Sequence, residues 1–466
     1  MLHRIHSTIF ALLFLVVFVG NTFVLRQESV GMLLLVLYIG FYGWELGGVI
    51  TQAEKAILRW WLGVWVLLSS VMILLTASYY IWKITPEVIY VAVLLTPPIL
   101  LWACRKATHL SLFAHAHDLW HGRRHHIQRT VWIAISAIVL LMSLFFLSLA
   151  QHPVVDAVRS VWERLPVSVF VLFILACALL FGLLSRGKER AISLLLFCVF
   201  LFSFLSVAAI VFPLGFGFDS FIHKATELHL AEFGTITPKP FYYIGQYVLV
   251  LFLHHGFLIP VDLADTFLVP VLTALLLPAA WFFAAAHITH KRSIAMMSLM
   301  GLFLLPLSNF IVTTPQALAN LWTLLLVLAS VPYLLEKEHP RLRVLFVSAM
   351  ATVLIHPIAG IPGLLYFMFL ATDPSRTNPR TPKTNRVVRM LLIVMACVIL
   401  PLSFVVNALM SQQQLVVNLA ALNPLAWISK LNLSIFFENK FSPLLDLVYL
   451  YGLNATLLLI ILAIFA

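Results

Sequence analysis

The sequence predicts an all-α, polytopic transmembrane helix bundle of about 13–14 spans, with an outer loop of juxtamembrane helices at about 213–262. Three observations predict it. Of 466 residues, 62% are hydrophobic and only 10% are charged, with a mean hydropathy of +1.04. A soluble core of this size could not hide so much apolar surface, whereas lipid solvates it. Apolar runs of about 20 residues recur along the chain, and a segment in hydrocarbon must satisfy its own backbone, so these runs are helices. The alternating ten-residue pattern of a transmembrane barrel is absent.

In chain order, the first half is expected to span at about 8–25, 31–50, 61–82, 88–104, 131–150, 167–185 and 191–212. The second half follows at about 266–287, 294–310, 318–335, 344–356, 360–372, 388–409 and 444–466. The first run has a basic start like a signal peptide, but it lacks a small-x-small cleavage pattern and more spans follow at once, so it is expected to be retained. The pair 344–372 is short for two crossings and is interrupted at His356-Pro357 and Gly360-Ile361-Pro362, where proline removes donors. It is expected to form a hairpin that stops short of the outer surface.

The net charge of +11 resides in short connectors. That pattern is the positive-inside rule and does not call for nucleic acid as a partner. The same rule decides whether the ambiguous segment 242–258 crosses. With a cytoplasmic amino terminus and 242–258 not crossing, 21 Lys and Arg fall inside and 8 outside. If it crosses, the count becomes 13 inside and 16 outside. The segment is therefore expected to lie along the outer membrane surface. Cys104, Cys177, Cys198 and Cys397 all sit in apolar runs without CxxC spacing, which argues against disulfide or zinc roles. A boundary is expected near 185, dividing a six-span region, 1–185, from a second membrane module, 186–466, that holds the polar loop. The chain stops at Ala466 with no basic flank after its last apolar run, as a truncated protein would.

The chemistry-bearing residues concentrate between Pro213 and Pro260. Gly215 and Gly217 permit a tight turn that delivers Asp219, a general base, a metal ligand or a helix N-cap. Asp219, His223 and Glu227 repeat at i, i+4, i+8 and share one helix face, with Lys224 beside them. Ionisable groups at a lipid boundary need water, each other or a ligand. The prolines of Thr237-Pro-Lys-Pro240 form a rigid turn whose Lys239 could pair with a phosphate. Tyr242 and Tyr243 suit either the headgroup zone or a stacking platform for a sugar. His356 and the Thr313–Gln316 loop, Gln316 included, fall on the same side and could line the same cavity. A second histidine cluster holds His117 and His121 at i, i+4, a spacing that zinc can use, but the surrounding arginines favour a basic helix on anionic lipid. The outer loop 410–442 is polar in patches and carries the sequon Asn432-Leu-Ser434. No nucleotide-binding or hydrolase fingerprint is present.

From 211 to 247 the chain resembles the GT-C superfamily of polytopic glycosyltransferases, which includes protein O-mannosyltransferases and oligosaccharyltransferase catalytic subunits. Asp219 stands where that family places its loop-one acid, and Ala225–Gly234 resembles the helix and glycine that follow. Pro238-Lys-Pro-Phe-Tyr-Tyr243 resembles its proline-and-aromatic turn, and 267–292 its next span with a basic end. His356-Pro-Ile-Ala-Gly360 sits where some members carry a polar break. The resemblance covers roughly 186–410. It implies transfer of a sugar from a polyprenyl-phosphate donor to a lipid, glycan or protein acceptor, outside the cytoplasm and at the plasma membrane. Asp219 would be the base, with His223, Lys224, Glu227, Lys239, Tyr242, Tyr243, Gln316 and His356 as substrate contacts. Two departures argue against a divalent-metal cofactor: Ser220 replaces the family's second acid, and Thr313–Gln316 holds none. The six leading spans are extra. The competing expectation is a transporter or a flippase of lipid-linked saccharide.

Overall fold

A computed structural model describes residues 2–51, 56–103, 129–186, 190–335, 342–372 and 387–395, apart from a few single positions. Among them there is no β-strand. The chain divides into two compact units, Met1–Gly301 with Leu307–Leu392, and Leu302–Pro306 with Ile393–Ala466. The second lies almost wholly outside the described residues, as do the expected span 444–466, the loop 410–442 and the His117–His121 cluster. The boundary expected near 185 has no counterpart in this division.

The first unit begins with α1 (Leu2–Gly20), extended by a π turn, Asn21–Leu25, then α2 (Glu28–Ile50), α3 (Ala56–Ile81) and α4 (Pro86–Ala103). The turn into α2 is closed by Asn21, whose amide donates to Gln27 O while its side-chain oxygen accepts from Gln27 N. Next come α5 (Arg129–Ala150), α6 (Val167–Arg186), α7 (Arg190–Leu205) and the short α8 (Val207–Val211). The polar loop supplies α9 (Asp219–Phe233) and α10 (Ile244–Phe257). After it run α11 (Val261–Thr289), α12 (Arg292–Ser298), α13 (Pro315–Leu335), α14 (Leu342–Ile355) and α15 (Pro357–Ala371). Seven of the described helices (α2 to α6, α11 and α13) are long and apolar enough to cross a bilayer, which makes this an all-α, multi-pass membrane protein.

Burial sorts these helices. In α3 and α11, 78% of the most apolar window is enclosed by protein, against 22% in α5 and 28% in α6. The first two form the centre of the bundle, and the last two leave most of their surface for lipid. Lipid offers no hydrophobic drive between helices, so close packing must hold them. Gly43, Gly47 and Gly63 supply it where α2 meets α3: a Cβ on Gly63 would lie 1.8 Å from Gly43 O, and one on Gly47 1.8 Å from Arg59 O. Deeper in, Trp322 Nε1 of α13 donates to Ser69 Oγ of α3 at 2.9 Å, so both buried polar groups are paired.

Helix α10 has 14 residues, about 21 Å at 1.5 Å per residue, too short for a hydrocarbon core of about 30 Å. Both its ends meet the same end of the bundle. Just before it, Lys239 binds the terminal carbonyls of α3. Near its far end, Gly256 packs on Ile89 in the first turn of α4, and α3 and α4 are joined by residues 82–85. The helix therefore does not traverse the bundle, in line with the charge count. Its setting differs from the expectation of a helix resting on the membrane surface. Residues from Ile244 to Phe252 are all buried, packed among α2, α3, α4, α11 and α14. A surface helix keeps one polar face in water; this one has protein on every side.

Two further expectations are corrected. Residues 294–310 do not form one span: α12 ends at Ser298 and 3-10 turns follow over Leu299–Leu304 and Leu307–Phe310. The interruption in 344–372 lies at His356 alone: Pro357 occupies the first helical position, where no donor is needed, and α15 runs on with Pro362 in its interior.

Two predictions follow from this packing. Gly63→Val should lower the thermal unfolding midpoint of the detergent-purified protein by a shift equivalent to about 1–3 kcal/mol, the usual range for overpacking, whereas Gly20→Ala, with nothing within 4 Å, should leave it unchanged. In a background lacking the four cysteines, single cysteines at the exposed positions Glu232 and Lys291 should fall on opposite membrane faces. A membrane-impermeant thiol reagent on intact cells should label Glu232→Cys and spare Lys291→Cys. Labelling of both or neither would mean that α10 crosses.

Candidate functional site

The polar end of the bundle starts at the turn 212–219. Gly215 (φ 102°) and Gly217 (φ 85°) adopt left-handed conformations that L side chains rarely take. A Cβ on Gly215 would also meet the Phe221 ring at 2.8 Å. Ser220 Oγ donates to Phe216 O at 2.7 Å and ties the turn to the first residues of α9. Asp219 is thereby set at the N-terminus of α9, exposed, where a carboxylate is favoured by the free N–H groups of the first turn. Gly217 lies beside Val312, which brings the Thr313–Gln316 loop next to this turn.

Helix α9 is amphipathic with its polar side inward. Along the i, i+4, i+8 face, Asp219 is exposed, His223 half-buried and Glu227 fully buried. Phe221, Ile222, Leu228 and Phe233 point away from the bundle and are each about half exposed. This outer face, with His229 and Glu232 exposed among the apolar side chains, suits the lipid–water boundary, and the inner face forms a polar row descending from the surface into protein.

At the bottom of that row, Gln246 Nε2 of α10 donates to Glu227 Oε1 at 3.0 Å, and both side chains are fully buried. Asp265 of α11, 4% exposed, faces Glu227. Burial raises the Glu227 carboxyl well above the usual range, and the charge of Asp265 raises it further, against the Gln246 amide and Lys224, which favour the ionised form. Lys224 forms an ion pair with Asp262 at 2.5 Å. Asp262 is 68% exposed, so this pair contributes little to stability.

One turn higher, His223 Nδ1 is 2.8 Å from Tyr247 Oη. Burial lowers the His223 pKa, Asp219 partly offsets this, and His356 adds to the lowering. The imidazole is therefore mostly neutral near pH 7, with its Nδ1 able to accept from the tyrosine hydroxyl. Tyr243 stands between two histidines, its ring centroid 5.2 Å from that of His223 and 5.0 Å from that of His356. This placement uses a left-handed backbone at Tyr243 (φ 71°), uncommon for a bulky residue. His356 caps α15, its Nδ1 accepting from Ala359 N at 3.3 Å. That bond leaves Nε2 as the ring's N–H donor.

The structure thus gathers Asp219, His223, Tyr243 and His356 at one end, with Lys224 and Glu227 just beneath. Gln316 is exposed in the first turn of α13, beside the same turn but apart from the histidines. Tyr242, 52% exposed, meets the Tyr243 ring edge-on at its rim. Lys239 departs from its expected role as a phosphate contact. Its ammonium donates to Tyr79 O (2.7 Å), Tyr80 O (3.3 Å) and Trp82 O (2.5 Å), using three donors on the open carbonyls at the end of α3. Asp265 and Gln246 were missed as site residues. The available signal for Asp265 was two acids, Asp262 and Asp265, at i, i+3 where an apolar run begins. Among the described residues, no group of three or more His, Cys, Asp or Glu could hold a metal ion.

Lys239→Met should leave the last carbonyls of α3 without donors and lower the unfolding midpoint. Hydrogen bonds to a charged group are worth about 1.5–3 kcal/mol each, so a loss of at least that size is expected. The same variant should be cut faster by protease between 234 and 243, and a wild-type midpoint and cleavage rate would show that the cap is dispensable.

Comparison of the chain with family models, with curated proteins and with solved structures finds no match in any of the three.

Proposed function

We propose that the protein is a membrane glycosyltransferase that moves a sugar from a polyprenyl-phosphate donor to an acceptor on the extracytoplasmic face of the plasma membrane. The observation that carries this reading is α9, with a mostly apolar face outward, interrupted by His229 and Glu232, and an acid–imidazole row inward at one end of the bundle. A donor with a long lipid tail must present its phosphate and sugar from within the bilayer. A helix with lipid on one side and polar groups on the other is suited to receive such a molecule laterally. Asp219 is the base: it is exposed, close enough to His223 to raise that ring's pKa, and free of any hydrogen bond or ion pair among the described residues. It would take the acceptor proton as the hydroxyl attacks the anomeric carbon and the phosphate leaves. Productive transfer needs that proton within about 3 Å of the carboxylate. His356 Nε2–H and Lys224 supply the donors for the leaving phosphate, and Tyr242 and Tyr243 offer rings against which a sugar can stack. Lys239 is committed to α3 and has no part in this step. The acceptor is a lipid, a glycan or a protein, and no step requires a cofactor.

A transporter or flippase is the second reading, favoured by one observation: Glu227 and Asp265 are buried carboxyls of the kind that couple protons to transport. Against it, among the described residues the ionisable side chains of the membrane-spanning helices lie near helix ends. Asp265 is the fifth residue of α11, while Glu45 and Arg59 flank the turn between α2 and α3.

Asp219→Asn should reduce release of polyprenyl phosphate from polyprenyl-phosphate sugars by about 10²-fold or more, the lower bound for general-base catalysis, without changing the unfolding midpoint of the purified protein. Unchanged turnover removes Asp219 from the chemistry. Uptake of a soluble sugar into proteoliposomes in place of sugar transfer would favour the transporter.

A further inference from the structure

We infer that Glu227 and Asp265 form a buried one-proton site, a carboxyl–carboxylate pair that takes its proton from the extracytoplasmic end of α9. Three oxygens at this place are enclosed and lack a partner: Glu227 Oε2, Asp265 Oδ1 and Gln246 Oε1. Gln246 is fully buried, and its amide already gives one hydrogen to Glu227 Oε1. Among the described residues, no other hydrogen-bond donor reaches the two carboxyls. Two facing carboxylates in a dry site cannot both stay ionised, and an unpartnered buried acceptor costs about 1–3 kcal/mol. One proton placed between the two acids removes one of the two charges and pairs the carboxyl oxygens, because the O–H of one acid donates to the carboxylate of the other. A second proton would make the pair neutral beside the Gln246 amide and Lys224, both of which favour an ionised carboxylate.

The charged and titratable groups that face Glu227 or Asp265 come from the elements packed on them. Asp262 and Asp265 belong to α11, Lys224 to α9 and Tyr247 to α10. Lys224 is engaged with Asp262, so its charge offsets that acid first. The Tyr247 hydroxyl, held by His223 Nδ1, lies close enough to Glu227 for the acid's charge to raise its pKa further. The face Asp219, His223, Glu227 thus leads from an exposed acid to an enclosed one, with groups able to hold a proton at each turn.

Linkage gives the sign of the effect on stability. The folded protein holds a proton that an unfolded glutamate, with a pKa of about 4.3, releases. The folded state therefore binds more protons, and stability falls as pH rises from about 4.5 towards the pair's own value. Below that window the contribution is fully present.

The test is infrared spectroscopy of the full chain in lipid nanodiscs at pH 7. The wild type should show a protonated-carboxyl stretch that both Glu227→Gln and Asp265→Asn abolish, since the proton belongs to both acids. Its unfolding midpoint should fall between pH 5 and 8, and Glu227→Gln should flatten that slope. Loss of only part of the band in each variant would mean two independent protons and overturn the site. A band present in choline chloride but absent in sodium chloride would assign the oxygens to a metal cation and overturn it as well. If neither variant folds, a wild type without a protonated-carboxyl stretch at pH 7 is enough to reject it. None of these readouts uses sugar transfer, so the pair stands or fails apart from the glycosyltransferase reading.

Discussion

The constraint on which the polar end of this protein depends is the enclosure of α10. A helix in hydrocarbon satisfies its own backbone except at its ends, and a helix that stops inside a bundle must find partners for those ends locally. At the start of α10, Tyr243 takes a left-handed conformation and its carbonyl accepts from Gln246 N. At the finish, Leu258 is left-handed, Ile259 N reaches back to Leu253 O, and His254 Nδ1 meets Ile259 O. These local closures let an apolar helix sit deep without crossing. They also fix Gln246 and Tyr247 against α9 and put Tyr243 between two histidines.

The close approaches around α10 need residues without side chains. Gly31 of α2 faces Phe257 O, and Gly245 faces the backbone at Leu354 and Ile355. The helices that precede the polar loop are therefore part of its setting, and α2 to α4 form the bed on which α10 rests. Regarding the first 185 residues as a separate, additional region overlooks this contact.

Much of the fold was legible because its cause is local. Runs such as 131–150 and 167–185 are apolar throughout, and a bilayer gives them one solution. The i, i+4, i+8 row Asp219, His223, Glu227 was legible for the same reason, since helix periodicity alone puts it on one face. Side-chain partners distant in sequence were not legible. Lys239 is a plausible phosphate ligand until its neighbours are known, and those neighbours are carbonyls about 160 positions earlier. Asp265 was hidden by its place inside a span, where hydropathy averages it away. The burial of α10 was half legible: counting charges gave its sidedness, whereas its depth depends on glycines in other helices.

The turn after Gly234 is stitched to the turn between α3 and α4. Ile84 N donates to Gly234 O at 2.9 Å, Tyr80 Oη donates to Pro240 O at 3.0 Å, and Lys239 holds three carbonyls of α3. Mechanically, these two connections form one rigid body. Substrate could not be admitted by swinging the proline-rich turn outward, because the end of a central helix would have to move with it. The hinge of any gate is left to the other side of α9, at Gly215 and Gly217. If the protein is the glycosyltransferase proposed above, substitutions there should alter how fast substrates enter and leave more than how the bundle is held together.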